Sequence, residues 1–198
     1  LEARWARFFD ELKIEWDYEP EGFDLGEAGY YLPDFYLPNL SIPTWVEIKP
    51  NDKLSQQDFL KVSTFRKSVI YKPENEARLV VLCGSPYLEK YTIKTPTTPD
   101  DWKTSGHQWI SSQEVFGRCP LCGRIDIING NCEESYENDD MYCVWCDIID
   151  RNDGENADAW FHKGSIMLKT GYQIYRHPSI INAYNKAMSA RFEHGESG

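Results

Sequence analysis

Apolar residues near the start of the chain recur at spacings of three and four. Trp5, Phe8, Phe9 and Leu12 fall on one side of a helical period, and Glu2, Arg4, Asp10 and Glu11 fall on the other. This predicts an amphipathic helix over residues 2–12. The period then drops to two. Ile14, Trp16 and Tyr18 alternate with Glu15, Asp17 and Glu19 until Pro20 and Gly22, the pattern of a half-buried strand. A second extended run covers Tyr30 to Leu37, between Gly29 and Pro38. After a turn at Asn39–Pro43, a third covers Thr44 to Lys49 and stops at Pro50. Short strands in this order predict an antiparallel meander.

Residues 55–70 read as a second helix, with Ser55 as its cap and Phe59, Leu60, Val62 and Phe65 on its apolar face. Arg78–Cys83 is an unbroken apolar run of strand length, expected to be buried on both faces. Tyr87–Lys94 reads as a further strand, and Thr95–Thr104, rich in Pro and Thr, as a loop. A closing helix is expected from Pro178 to Phe192, with Ile181, Tyr184, Ala187, Met188 and Phe192 on one side. Residues 193–198 carry no apolar anchor and should fray.

Composition narrows the class. Hydrophobic residues make up 41% of the 198 residues and charged residues 27%, which supports a folded core and excludes wholesale disorder. No stretch reaches the roughly 18 apolar residues that span a bilayer, so no membrane role is expected. No basic segment precedes an apolar one in the manner of a secretory signal, so we expect a reducing, cytoplasmic setting. In that setting the pairs Cys119/Cys122 and Cys143/Cys146, four of the six cysteines, read as metal ligands before disulfides.

Candidate chemistry sits on the second and third extended runs. Glu47 and Lys49 are two apart on one strand and project from one face. The short connection after Asp34 permits a hairpin that brings Asp34 beside Glu47. Two adjacent carboxylates repel unless something cationic lies between them. Mg²⁺ suits such oxygen ligands, can supply the nucleophilic water for a phosphodiester and can neutralise charge building on phosphate. Lys49 is placed to orient or help deprotonate that water, or to hold a phosphate oxygen.

Pro33-Asp34 followed by Glu47-Ile48-Lys49 resembles the PD-(D/E)xK nuclease superfamily, which includes restriction endonucleases, Holliday-junction resolvases and transposon end-cleaving nucleases. The resemblance covers about the first 85 residues. The wording around the motif, Tyr31-Leu32-Pro33-Asp34-Phe35 and Tyr18-Glu19-Pro20-Glu21-Gly22-Phe23, is similar to phage and bacterial members. The resemblance implies an α/β, restriction-endonuclease-like core of a helix, three mostly antiparallel strands, a helix and a strand. It also implies a bacterial or phage-infected cell. It makes Asp34, Glu47 and Lys49 catalytic, with an acid from the first helix, Glu2 or its rival Glu11. Asp34, Glu47 and Ile48 become the ligands of Mg²⁺ or Mn²⁺, and Gln56 or Gln57 on the next helix a contact to phosphate. Lys61, with Arg66, Lys67 and Lys72, is a further candidate contact as part of a local basic face.

Each CxxC pair places two thiolates on one tight turn, and two turns make the tetrahedral set that Zn²⁺ favours in a structural site. Gly123 supplies the positive φ that such a turn needs. Cys83 reads as a core residue, and Cys132 and the four histidines as non-ligands. The expected organisation is a nuclease-like core over 1–116, a zinc ribbon over 117–150 and a helical segment over 151–198.

The net charge of −11 runs against a protein that grips DNA through phosphates alone. Basic residues must cluster locally, a divalent ion must bridge to phosphate, or a protein partner must supply a basic surface. The expected function is a metal-dependent DNA endonuclease. The alternative is a weak or inactive nuclease-fold module that binds DNA or a protein within a larger phage, mobile-element or defence assembly.

Overall fold

The structure, a computed structural model, describes residues 1–70, 77–87, 91–96, 109–112, 114–118, 123–129, 142–143, 148–149 and 177–190. The chain divides into two compact units: Leu1–Ser112 with Ala183–Gly198, and Gln113–Asn182. The fold is mixed α/β.

The first unit is organised by one six-stranded sheet. Its strands are β1 (Asp17–Tyr18), β4 (Phe35–Leu37), β5 (Thr44–Lys49), β6 (Arg78–Cys83), β7 (Thr92–Pro96) and β8 (Trp109–Ser112), and they are adjacent in that order. All neighbours are antiparallel except β5 and β6, which run parallel in register from Thr44↔Arg78 to Lys49↔Cys83. A parallel pair needs a crossover. Here it includes α2 (Gln56–Phe65), extended by a π-helical turn, Arg66–Ile70. Ser55 caps α2 through a reciprocal capping box with Asp58, which fixes where the helix starts.

The central strand β6 buries Leu79, Val80, Val81, Leu82 and Cys83. Alternate residues serve opposite faces. Leu79, Val81 and Cys83 pack with Val62 and Phe65 of α2 and with Ile70. The other face is covered by α1 (Glu2–Leu12), whose Trp5, Phe8, Phe9 and Leu12 are buried as the apolar period requires. Phe9 meets Phe35 edge to face, with ring centroids 5.5 Å apart. The closing helix α3 (Pro178–Ser189) brings Tyr184 onto Phe8 as a stacked pair at 4.5 Å, and its hydroxyl shares a 2.7 Å hydrogen bond with that of Tyr91.

Four local expectations change. The Ile14–Tyr18 alternation forms a strand only at Asp17–Tyr18, and Tyr18, expected on the apolar side, is 49% exposed. The Tyr30–Leu37 run is not one strand. It splits at Leu32-Pro33-Asp34, where Pro33 lacks an N–H for a ladder. Its first part, β3 (Tyr30–Tyr31), instead pairs with β2 (Phe23–Asp24) across a 3₁₀ turn at Gly26–Ala28. Residues Thr95 and Pro96, read as loop, complete β7. The buried face of α3 is Ile180, Ala183, Tyr184 and Ala187, whereas Ile181 is 36% exposed. Phe192, and the loop beyond Pro96 as far as Thr104, lie outside the described residues.

In the second unit, β9 (Glu114–Arg118) and β10 (Ile125–Asn129) form an antiparallel pair, and Phe116 faces Ile127 with both buried. A shorter pair joins β11 (Tyr142–Cys143) to β12 (Ile148–Ile149). Gly123 has φ 75°, the left-handed value expected after the first cysteine pair. Cys119, Cys122 and Cys146 lie outside the described residues, as does the side chain of Cys143. Among the described residues, no helix is long and apolar enough to cross a membrane.

Candidate active site

The β4–β5 register pairs Phe35 with Val46. Continued by one residue, it sets Asp34 opposite Glu47. The contact is direct: Asp34 Oδ2 accepts a 2.5 Å hydrogen bond from the Ile48 main-chain N–H. Glu47 and Lys49 share the face of β5 that Trp45 occupies, because strand side chains alternate. That face is the one covered by α2. Asp34, Glu47 and Lys49 are therefore brought together, as the strand pattern predicts.

The electrostatics are unbalanced. Asp34 is pushed up to about 7, first by burial and then by the charge of Glu47. The Ile48 hydrogen bond works in the other direction, and Glu2 adds a further upward push. Glu47 is 8% exposed, and its Oε1 pairs with Lys49 Nζ at 2.8 Å. Its Oε2 is buried with no hydrogen-bond partner. An unsatisfied buried acceptor costs about 1–3 kcal/mol, and a carboxylate oxygen sits at the upper end. The buried Tyr31 hydroxyl likewise has no acceptor in good hydrogen-bond geometry, although Glu47 lies near enough to act on it as a hydrogen-bond acceptor as well as through its charge. Burial, followed by the nearby Glu47 charge, holds it well above the usual phenol range.

Lys49 carries a second carboxylate partner, Asp58 Oδ1, at 3.0 Å. Burial alone would lower the lysine, but Glu47 and Asp58 together outweigh it and hold it above the ordinary range. Lys49 is thus a fixed cation in this arrangement. For Asp58, burial is outweighed by Ser55 and Lys49, so its carboxyl stays below the usual range.

The first-helix acids separate cleanly. Glu2 lies at the margin of the site, where its Oε2 accepts from the Tyr18 hydroxyl at 2.7 Å and its charge reaches Asp34. Glu11 is engaged elsewhere, by Arg7 and by Lys186, each at 2.6 Å. Gln56 and Gln57 are exposed on the first turn of α2, and Lys61 is half-buried one turn later. Lys72 lies outside the described residues.

Asp58 and Tyr31 were not singled out by the sequence pattern. Asp58 had a usable signal, the Ser-x-x-Asp capping box that starts α2. Tyr31 had none, because its burial depends on the separate β2–β3 hairpin.

The chemistry of the donor set fits a hard divalent cation. Asp34 keeps Oδ1 outside the Ile48 hydrogen bond, Glu47 offers the unpartnered Oε2, and Ile48 has only its main-chain oxygen to give. Among the described residues, no three His, Cys, Asp or Glu side chains form a metal-holding group, so the set rests on two carboxylates and a carbonyl. Compared with known proteins, the chain matches no family model, no curated protein and no solved structure.

Proposed function

We propose that this protein is a metal-dependent endonuclease of the PD-(D/E)xK kind, hydrolysing phosphodiester bonds in DNA. The observation that carries the reading is the opposed pair Asp34 and Glu47, with one Glu47 oxygen buried and unpartnered beside a fixed lysine. A buried carboxylate pair is costly in isolation, and a divalent cation relieves both the repulsion and the orphaned acceptor.

Asp34, Glu47 and the Ile48 carbonyl are the groups that would hold Mg²⁺ or Mn²⁺. Such an ion supplies Lewis-acid stabilisation of phosphate charge and acidifies water. Lys49, kept protonated by Glu47 and Asp58, serves as a cation for a phosphate oxygen. Its raised proton affinity argues against a role as general base. Glu2 adds negative charge at the margin. Gln56, Gln57 and Lys61 stand on the first turns of α2, the same end of the helix as Asp58, and are proposed to touch the nucleic acid. Cys119, Cys122, Cys143 and Cys146 are proposed to hold a structural Zn²⁺. The net charge of −11 supports a protein partner that presents the DNA.

The test incubates the protein with supercoiled plasmid, linear duplex, single-stranded DNA and RNA in Mg²⁺ or Mn²⁺, beside Asp34→Ala and Lys49→Ala. Metal-dependent cleavage of DNA that both variants lose supports the reading. Cleavage that is equal in the variants removes the site assignment. Salt-sensitive DNA binding without cleavage supports the binding-module alternative instead.

A further inference from the structure

Lys49 is held by two carboxylates, and only one of them belongs to the proposed cation site. Glu47 Oε1 lies 2.8 Å from the ammonium and Asp58 Oδ1 3.0 Å. The other Asp58 oxygen faces away. Oδ2 accepts from the Ser55 main-chain N–H at 2.9 Å and from the Ser55 hydroxyl at 2.6 Å, while Asp58 N–H donates to Ser55 Oγ at 3.1 Å. A single carboxylate therefore ties the lysine at the end of β5 to the first turn of α2.

We propose that Asp58 is a positioning residue: it keeps the Lys49 ammonium at the edge of the Asp34–Glu47 pair when Glu47 gives its charge to a divalent cation. Its role in turnover rests on the phosphodiesterase reading; the contact with Lys49 does not. A cation on Glu47 competes with Lys49 for the same carboxylate and repels it. With Glu47 as sole partner, a flexible four-carbon side chain would swing out to solvent and regain its rotamer entropy. Asp58 opposes that release because it is anchored. Rotating its carboxylate away from Lys49 also breaks the cap of α2. Lys49 keeps its charge and its place, which is what a phosphate oxygen needs.

The test compares Asp58→Asn with Ser55→Ala in the full chain. Ser55→Ala loosens the same cap but leaves the carboxylate beside Lys49. The first readout is the acetylation rate of Lys49 by an activated acetate ester at mildly alkaline pH, followed by peptide mass spectrometry with the other lysines as internal references. Losing the anchored carboxylate frees the ammonium from one of its two ion-pair contacts and opens it to the reagent, a change of about tenfold on the scale of one lost charge-assisted hydrogen bond. Lys49 should therefore react about tenfold faster in Asp58→Asn and less than about threefold faster in Ser55→Ala. Equal acceleration in the two variants reduces Asp58 to a helix cap and overturns the proposal, as does no acceleration in Asp58→Asn.

The second readout is Mg²⁺-dependent plasmid cleavage. Asp58→Asn should lower kcat about tenfold or more, a loss on the scale of a misplaced catalytic group, with Ser55→Ala close to wild type. If cleavage occurs and Asp58→Asn matches wild type, the positioning role is wrong. If the wild type cleaves nothing, the phosphodiesterase reading fails, and acetylation still decides whether Asp58 holds Lys49.

Discussion

Asp34 concentrates the electrostatic cost of the site. Its carboxyl is raised from 3.8 to about 7 by burial and by Glu47, and the unfolded chain relaxes it to the ordinary value. The native state therefore holds the extra proton across that window, and stability falls as pH rises through it. Above about 7 the full penalty is present. Metal-free Asp34→Asn should unfold at a higher temperature than wild type near pH 8, with the gap closing toward pH 4. The scale is about 2–4 °C per kcal/mol for a chain of this size. A lower melting temperature for the variant at the alkaline end would contradict the electrostatic account. On the proposed reading, the same proton would compete with a cation. Mn²⁺ affinity by calorimetry should rise about tenfold per pH unit below about 7 and level off above it; a flat profile would mean that the cation does not meet Asp34. The residues of this site were partly legible. Asp34, Glu47 and Lys49 follow from strand alternation and a short hairpin. The capping role of Asp58 had a local signal in Ser55-x-x-Asp58, but its contact with Lys49 did not, because the lysine lies nine positions earlier across a loop that no local pattern closes.

Elements carry the site through two helices on opposite faces of one sheet. Helix α2 is set by its capping box, and Ser55→Ala should cost about 1 kcal/mol by denaturant unfolding. Helix α1 contributes the aromatic wall. Phe8 is fully buried between Trp5, Phe9 and Tyr184, so Phe8→Ala should destabilise the fold by about 3–5 kcal/mol. A loss below about 1 kcal/mol would place Phe8 outside the core. Strongly periodic elements were readable: α1 from its spacing, β6 from its unbroken apolar run, and α2 from its cap. In α3 the sequence placed Tyr184 and Ala187 on the buried side correctly but put Ile181 there in place of Ile180 and Ala183. The buried stripe of Ile180, Ala183, Tyr184 and Ala187 uses two alanines, which carry little hydrophobic signal, while the exposed Ile181 carries much. The Tyr30–Leu37 run looked continuous because its hydrophobic residues are continuous. Pro33 breaks the ladder without breaking that pattern.

At the scale of the whole molecule, an acidic chain carries a candidate phosphodiesterase site, and this combination gives the divalent ion and the partner their places in the account. The paired cysteines belong to the second unit, where Gly123 already shows the left-handed turn. Metal analysis should find one zinc per chain, lost in Cys143→Ser; retained zinc in that variant would rule out the four-cysteine set. The central claim is that Asp34 and Glu47 hold a cation that serves phosphodiester hydrolysis. It is tested most directly by the rate at which supercoiled plasmid is nicked in Mg²⁺ by wild type and by Glu47→Gln. The account predicts nicking that a chelator abolishes and that Glu47→Gln slows on the order of a hundredfold or more. An equal rate in the two proteins, or a rate indifferent to the chelator, would contradict it.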